Sequence, residues 1–294
     1  MRRWFTVLSA TIMLVINGCA VSFFASGCGG PVRSQTPESP PLNSEEVSNE
    51  AGRTENPSKK SIFLESAKAD LANWPGRIIE DSNDVYLKKD NLFALLLAGG
   101  AGIVMHNSGA DKDIAEHFEK HSVFHGFADE SFNAIGHPGI HFAGTGLWYA
   151  LSAESGDEHN RERAWTMMTA LSVTWVTTMG LKAIRDNETP NGNSWAWPSG
   201  HTSSSFTVAS VLDEFYGPKV GIPAYVLASL VGYRMADTGD HWASDVVFGA
   251  TLGWVVGHTV AGKHKELEIA GFKVLPYMGG AEGSAVGISL LRQF

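Results

Sequence analysis

Between about residues 61 and 265, apolar residues recur at three- and four-residue intervals, with little of the alternation that a half-buried strand requires. A chain so patterned has to bury helix faces against one another, so the expected class is all-α, a helical bundle. Helices are predicted near 62–74, 90–105, 112–121, 139–153, 162–184, 202–216, 222–235 and 243–261. Leu92 to Met105 is almost wholly apolar but only fourteen residues long, and Val246 to Ala261 carries His258 and several glycines. A bilayer span takes about 20 predominantly apolar residues, so both runs are read as core helices. Ala164 to Ile184 is long enough for either setting. The end of the chain reads differently. Phe272–Tyr277 and Ala285–Leu291 flank Gly279, Gly280 and Gly283, the pattern of a β-hairpin, and a lone hairpin cannot close a barrel. Residues 61–265 are thus expected to form the helical domain, with 266–294 a small hairpin tail packed on it.

The first sixty residues belong to neither. Met1-Arg2-Arg3 is a basic start, Trp4 to Ile16 is an apolar run, and small residues follow, the pattern of a secretory signal. Phe24-Ala25-Ser26-Gly27-Cys28 resembles the lipobox of bacterial lipoproteins; Cys19 fits less well, because Asn17 stands two places before it. The expectation is a signal peptide over 1–27, lipidation at Cys28 and a disordered tether over 28–60, rich in Pro, Ser, Glu and Asn. An uncleaved anchor or a plain secreted leader is the alternative. Gly29 supplies no acidic retention signal. By resemblance to that class, the protein is expected on the periplasmic side of the bacterial envelope, held by its lipid at the outer membrane rather than the inner. No cysteine follows Cys28, which excludes an internal disulfide and thiol chemistry in the helical domain. Twenty-two Lys and Arg against 31 Asp and Glu, a formal net charge of −9, exclude a general nucleic-acid binder.

Chemistry concentrates in three clusters. In Trp197-Pro198-Ser199-Gly200-His201, a proline and a glycine bracket a serine just ahead of a helical run that Gly217-Pro218 stops. A helix start offers unpaired N–H groups and the positive end of the dipole to an anion. Serine is also an ordinary N-cap, and both readings stand at this point. Further on comes Arg234 and then, forty residues after His201, His241-Trp242-Ala243-Ser244-Asp245. His241 and Asp245 are spaced to share a helix face and hydrogen-bond, which would leave the other imidazole nitrogen free as a nucleophile. Upstream, Lys182 and Arg185 end a long helix and Pro190 follows.

Together these clusters resemble the type 2 phosphatidic acid phosphatase family, which shares its fold with bacterial nonspecific acid phosphatases and vanadium haloperoxidases. The family pattern is Lys-x6-Arg-Pro, Pro-Ser-Gly-His and Ser-Arg-x5-His-x3-Asp; Lys182–Pro190, Pro198–His201 and Arg234–Asp245 answer it in order. The resemblance implies a phosphatase acting on phosphomonoesters, lipid phosphates or pyrophosphates, with no cofactor and no metal. His241 would attack phosphorus, Asp245 would orient it, and His201 would protonate the leaving oxygen. Lys182, Ser199, Gly200 and Arg234 would hold the phosphoryl oxygens, where phosphoryl transfer needs positioning and donors above all. The chain departs from the pattern in three places. Thr189 replaces the first arginine, with Arg185 one turn from Lys182 as a substitute; Tyr233 replaces serine; and six residues, not five, separate Arg234 from His241.

Other histidines read more plainly. His117, His121 and His125 are spaced by four but interleaved with Glu116, Glu119 and Lys120, as on a solvated helix. His137 and His141 bracket a turn that could border the pocket, and His258 reads as a satisfied core or rim histidine. Trp195, Trp197 and Trp242 either pack in the core or wall an apolar pocket. Two rival functions share these residues: a vanadate-dependent haloperoxidase, disfavoured by the arginine missing at Thr189, and a silent envelope protein that binds phosphate or lipid.

Overall fold

The structure, a computed structural model, describes the backbone of residues 59–263, 267–269, 272–279 and 285–291, and the side chains of residues 65–263. The expected signal peptide, Cys28 and most of the tether lie outside the described residues. The helices are α1 (Lys59–Leu87), α2 (Lys89–Ser108), α3 (Ala110–His121), α4 (Gly126–Gly136), α5 (Pro138–Ser155), α6 (Glu158–Arg185), α7 (Gly200–Tyr216), α8 (Pro218–Asp237) and α9 (Ala243–Lys263). The chain from 59 to 263 is all-α, as its periodicity requires. Strands β1 (Leu267–Ile269), β2 (Phe272–Gly279) and β3 (Ala285–Leu291) follow, antiparallel in the order β1-β2-β3, with Leu275 opposite Ser289.

Local chemistry sets most helix ends. Asp157 caps α6 by accepting from the Asn160 N–H at 3.0 Å. Gly217, at φ +72°, ends α7, and Pro218 opens α8 at a position where its missing N–H costs nothing. Three expectations need correction. Helix α1 does not stop before Pro75-Gly76 but runs on to Leu87. Contacts on both sides of the proline hold it: Trp74 against Trp165, Arg77 on Glu162 at 2.5 Å, and Asp81 accepting from Lys263 at 2.8 Å. Helix α4 was not expected at all, being eleven residues with a glycine at each end. Helix α2 is a core helix on one face only: Ala98 is buried in the core, but the helix is long and apolar enough to cross a bilayer, and Phe93, Leu96, Leu97, Ile103 and Val104 are all exposed.

The core gathers Leu171 and Val173 of α6, Val211 of α7, and Leu252, Val255, Val256 and Val260 of α9. Helix α9 lies against α7 almost backbone to backbone. Gly249, Gly253 and Gly257, spaced by four, form a stripe facing Ser199, Ser203, Thr207 and Ser210. A methyl group at 249 would lie 2.8 Å from the Ser199 carbonyl oxygen, one at 257 would lie 2.8 Å from that of Thr207, and one at 253 would overlap the Ser203 carbonyl. Only glycine permits that approach. Helix α6 joins on the other side through Thr174–Thr207 (2.7 Å) and Thr178–Ser203 (3.1 Å) hydroxyl pairs. Overpacking this seam is expected to cost about 1–3 kcal/mol or more. Gly253→Val should therefore lower the denaturant midpoint sharply in equilibrium unfolding, whereas Gly180→Ala, in open space, should not lower it.

Candidate active site

The α7/α9 seam brings the second and third clusters together. Ser199 is fully buried and is the N-cap of α7: its hydroxyl accepts from the Thr202 N–H at 3.4 Å and from the Thr202 hydroxyl at 3.0 Å. Its own N–H donates to the Asp245 carbonyl at 3.2 Å, so the start of α7 is tied to the first turn of α9. Asp111 of α3 fixes that turn further, accepting from the Ser244 N–H at 3.0 Å and its hydroxyl at 2.6 Å.

Gly200, His201, Lys182 and His241 line one cavity of about 740 Å³, together with His137. Much of its remaining wall is apolar: Trp74, Ile78, Phe142, Leu171, Trp175 and Met179. The tryptophans on the wall are thus not the three singled out in the sequence. Trp197 packs on Phe248, and Trp242 donates its indole N–H to the Glu188 carbonyl. Trp195 holds a positive φ of 69°. Its carbonyl and that of Ala196 accept from the Lys182 ammonium.

His241 does not share a helix face with Asp245. It sits in the turn before α9, its N–H donating to the Met235 carbonyl at 2.9 Å. Its Nδ1 lies 3.6 Å from Asp245 Oδ2, close enough for electrostatic pairing but beyond a hydrogen bond. The same oxygen accepts from the Trp242 N–H at 3.0 Å, half of a capping box at the start of α9. With Nδ1 turned to a fully buried carboxylate, Nε2 is the nitrogen left for the cavity. His201 Nε2 is buried without a hydrogen-bond partner among the described residues. Burial, reinforced by His137, His241 and Arg234, pushes its pKa down to about 3, against the opposing charge of Asp240.

The cations are held differently from one another. Burial lowers Lys182 to about 8, with Asp245 opposing the shift, so it stays charged at neutral pH. Arg234 is buried and does not line the cavity; Nε donates to Asp129 Oδ1 at 2.6 Å, and Asp240 takes a second N–H. The extra residue before His241 is absorbed in the turn after α8, where Gly239 takes φ +72° and Asp240 folds back to Arg234. Arg185 does not reach the cavity; its guanidinium stacks 5.2 Å over the Trp197 ring. Thr189 serves a local turn, its hydroxyl accepting from the Asn193 N–H at 3.1 Å. Tyr233 is exposed and packs on Phe118 and Phe124.

Sequence reasoning missed Asp129, whose helix it did not detect, and the latch at Asp237. That buried carboxylate accepts from the N–H groups of Val123 and Phe124 and from the Ser122 hydroxyl, fixing the loop ahead of α4. The remaining histidines separate. His125 falls past the end of α3, so His117, His121 and His125 share no single helix face. His258 pairs with Glu214 at 2.5 Å and stacks on Trp254.

A 65-residue stretch is 38% identical to the lipid A 1-phosphatase of Porphyromonas gingivalis; it amounts to 21% of this chain and only 15% of that protein. The chain also aligns with the crystal structure of a transmembrane PAP2 type phosphatidylglycerolphosphate phosphatase from Bacillus subtilis. That alignment has 22% identity and a TM-score of 0.45, over 59% of this chain and 92% of the other. The profile of the PAP2 superfamily matches residues 104–267, more than half of the sequence and all three clusters. The chain belongs to the PAP2 superfamily.

Proposed function

We propose that this protein is a phosphoric ester hydrolase of the bacterial envelope that acts on phosphorylated lipids or small phosphoesters through a phosphohistidine at His241. The observation that carries this reading is the convergence of His241, His201 and Lys182 on one cavity, with His241 Nδ1 turned to the buried Asp245 carboxylate. Nε2 of His241 attacks phosphorus as the bond to the leaving oxygen breaks, and His201 gives that oxygen its proton. Water, deprotonated by His201, then attacks the phosphohistidine, breaking the P–N bond and releasing inorganic phosphate. Lys182 and the Gly200 N–H hold the equatorial oxygens, and the charge of Arg234 acts from just outside the wall. The apolar wall supports a lipid substrate. The exposed apolar face of α2 and the lipoprotein-like leader support a membrane-associated setting, with Cys28 as the anchor.

The empty-site chemistry of His201 has a direct consequence. At about 3 its pKa leaves it neutral at pH 6, unable to act as an acid. A bound phosphate dianion supplies the opposite charge that raises it. Binding of phosphate as the dianion at pH 6 is therefore expected to place a proton on His201; free phosphate at that pH is mostly the monoanion, so the ligand supplies that proton and little net exchange with the buffer remains. Calorimetry in buffers of different ionisation enthalpy measures this: the unmodified protein should exchange close to no proton, whereas His201→Gln should release close to one.

The reading is tested most simply by phosphate release. His241→Ala is expected to lower release from an aryl phosphate and from a lipid phosphate by at least about a thousandfold, with thermal stability little changed. Undiminished release by that variant would contradict the mechanism. A protein that binds phosphate but releases none would support the silent binder instead.

A further inference from the structure

Gly136-His137-Pro138-Gly139 joins α4 to α5, and the reaction above gives none of these residues a part. Three contacts fix the turn beside His201. A Cβ at Gly136 would lie 3.4 Å from His201 Cδ2 and would overlap Val231. The Ser204 hydroxyl, on α7, donates to the Gly136 carbonyl at 3.3 Å. The His137 ring meets His201 edge to face, with centroids 5.4 Å apart and planes at 82°. His137 also caps α5, its Nδ1 accepting from the Gly139 N–H at 3.0 Å. A Cβ at Gly139 would lie 3.0 Å from that Nδ1, so glycine there is what lets the imidazole fold back over the helix end. A ring nitrogen that accepts carries no hydrogen, so the cap fixes the tautomer and places the hydrogen on Nε2.

We infer that His137 is a third substrate-contacting histidine, a donor whose Nε2–H takes an oxygen on the group esterified to the phosphate. Attacking and leaving atoms lie roughly in line across phosphorus. His201 serves the leaving side, and His137 packs against His201 while lining the same cavity. With Nδ1 engaged by the Gly139 N–H, His137 donates through Nε2. The leaving groups it favours carry a second oxygen near the ester: a polyol, a sugar or a second phosphate. The inference rests on the phosphatase reading.

Its test uses the full-length protein with glycerol phosphate and inorganic pyrophosphate as probes, measuring kcat, KM and the thermal midpoint. His137→Asp and His137→Asn both keep an acceptor for the Gly139 N–H, so both should keep the wild-type midpoint. Only asparagine also keeps a donor. A hydrogen bond to a charged or developing oxyanion corresponds to roughly a tenfold to hundredfold effect. The aspartate variant and His137→Ala are expected to lose that much kcat/KM on both probes, while the asparagine variant retains most of it. Wild-type kcat/KM in His137→Asp overturns the inference, as does an asparagine variant no better than alanine at an unchanged midpoint. If the unmodified protein releases phosphate from no ester, the phosphatase reading itself fails and takes this inference with it.

Discussion

The site depends on the contact between α7 and α9, where glycines 249, 253 and 257 let one helix backbone rest on the serines and threonines of the other. Packed interiors transmit displacement rather than absorb it, and the two histidines sit at the same end of this seam. His201 is in the first turn of α7, and His241 lies two residues before α9. The Ser199 N–H bond to the Asp245 carbonyl ties those two starts together. The spacing of His201 and His241 thus follows from a helix–helix contact, with a short turn carrying His241 into α9.

The polar groups around that seam are held in different ways. His201 Nε2 and His241 Nδ1 are buried without hydrogen-bond partners among the described residues, and so is one oxygen of Asp245. Lys182 donates to the carbonyls of Trp195 and Ala196, feels the charge of Asp245 and stays a cation. Arg234 stands apart, already paired with Asp129 and Asp240, so its contribution is a fixed field on His201 rather than a free clamp.

Much of this was legible in the residues. The helical period from 61 to 265 and the Gly217-Pro218 break are local signals, and they placed most helices. His201, His241, Asp245 and Lys182 stood out because their spacing is a chemical pattern. What escaped notice depends on tertiary contact. Pro75 looks like a stop until Trp165, Glu162 and Lys263 hold both sides of it. Helix α4 is too short to show a period, so Asp129 was invisible. The outward face of α2 could not be told from a core face, because apolarity alone does not say which neighbour covers it. His137 reads in the sequence as bracketing a turn that could border the pocket, and its place on the cavity wall follows from how Gly136 and Gly139 let the chain close on His201.

The central claim is that His241 becomes covalently phosphorylated. The most direct measurement is an alkaline quench during turnover with a phosphorus-labelled ester, followed by peptide mapping. The account predicts label on His241, lost when the reaction is chased with unlabelled substrate and absent from His241→Ala. Turnover with no labelled residue, or label on His201 instead, would contradict it.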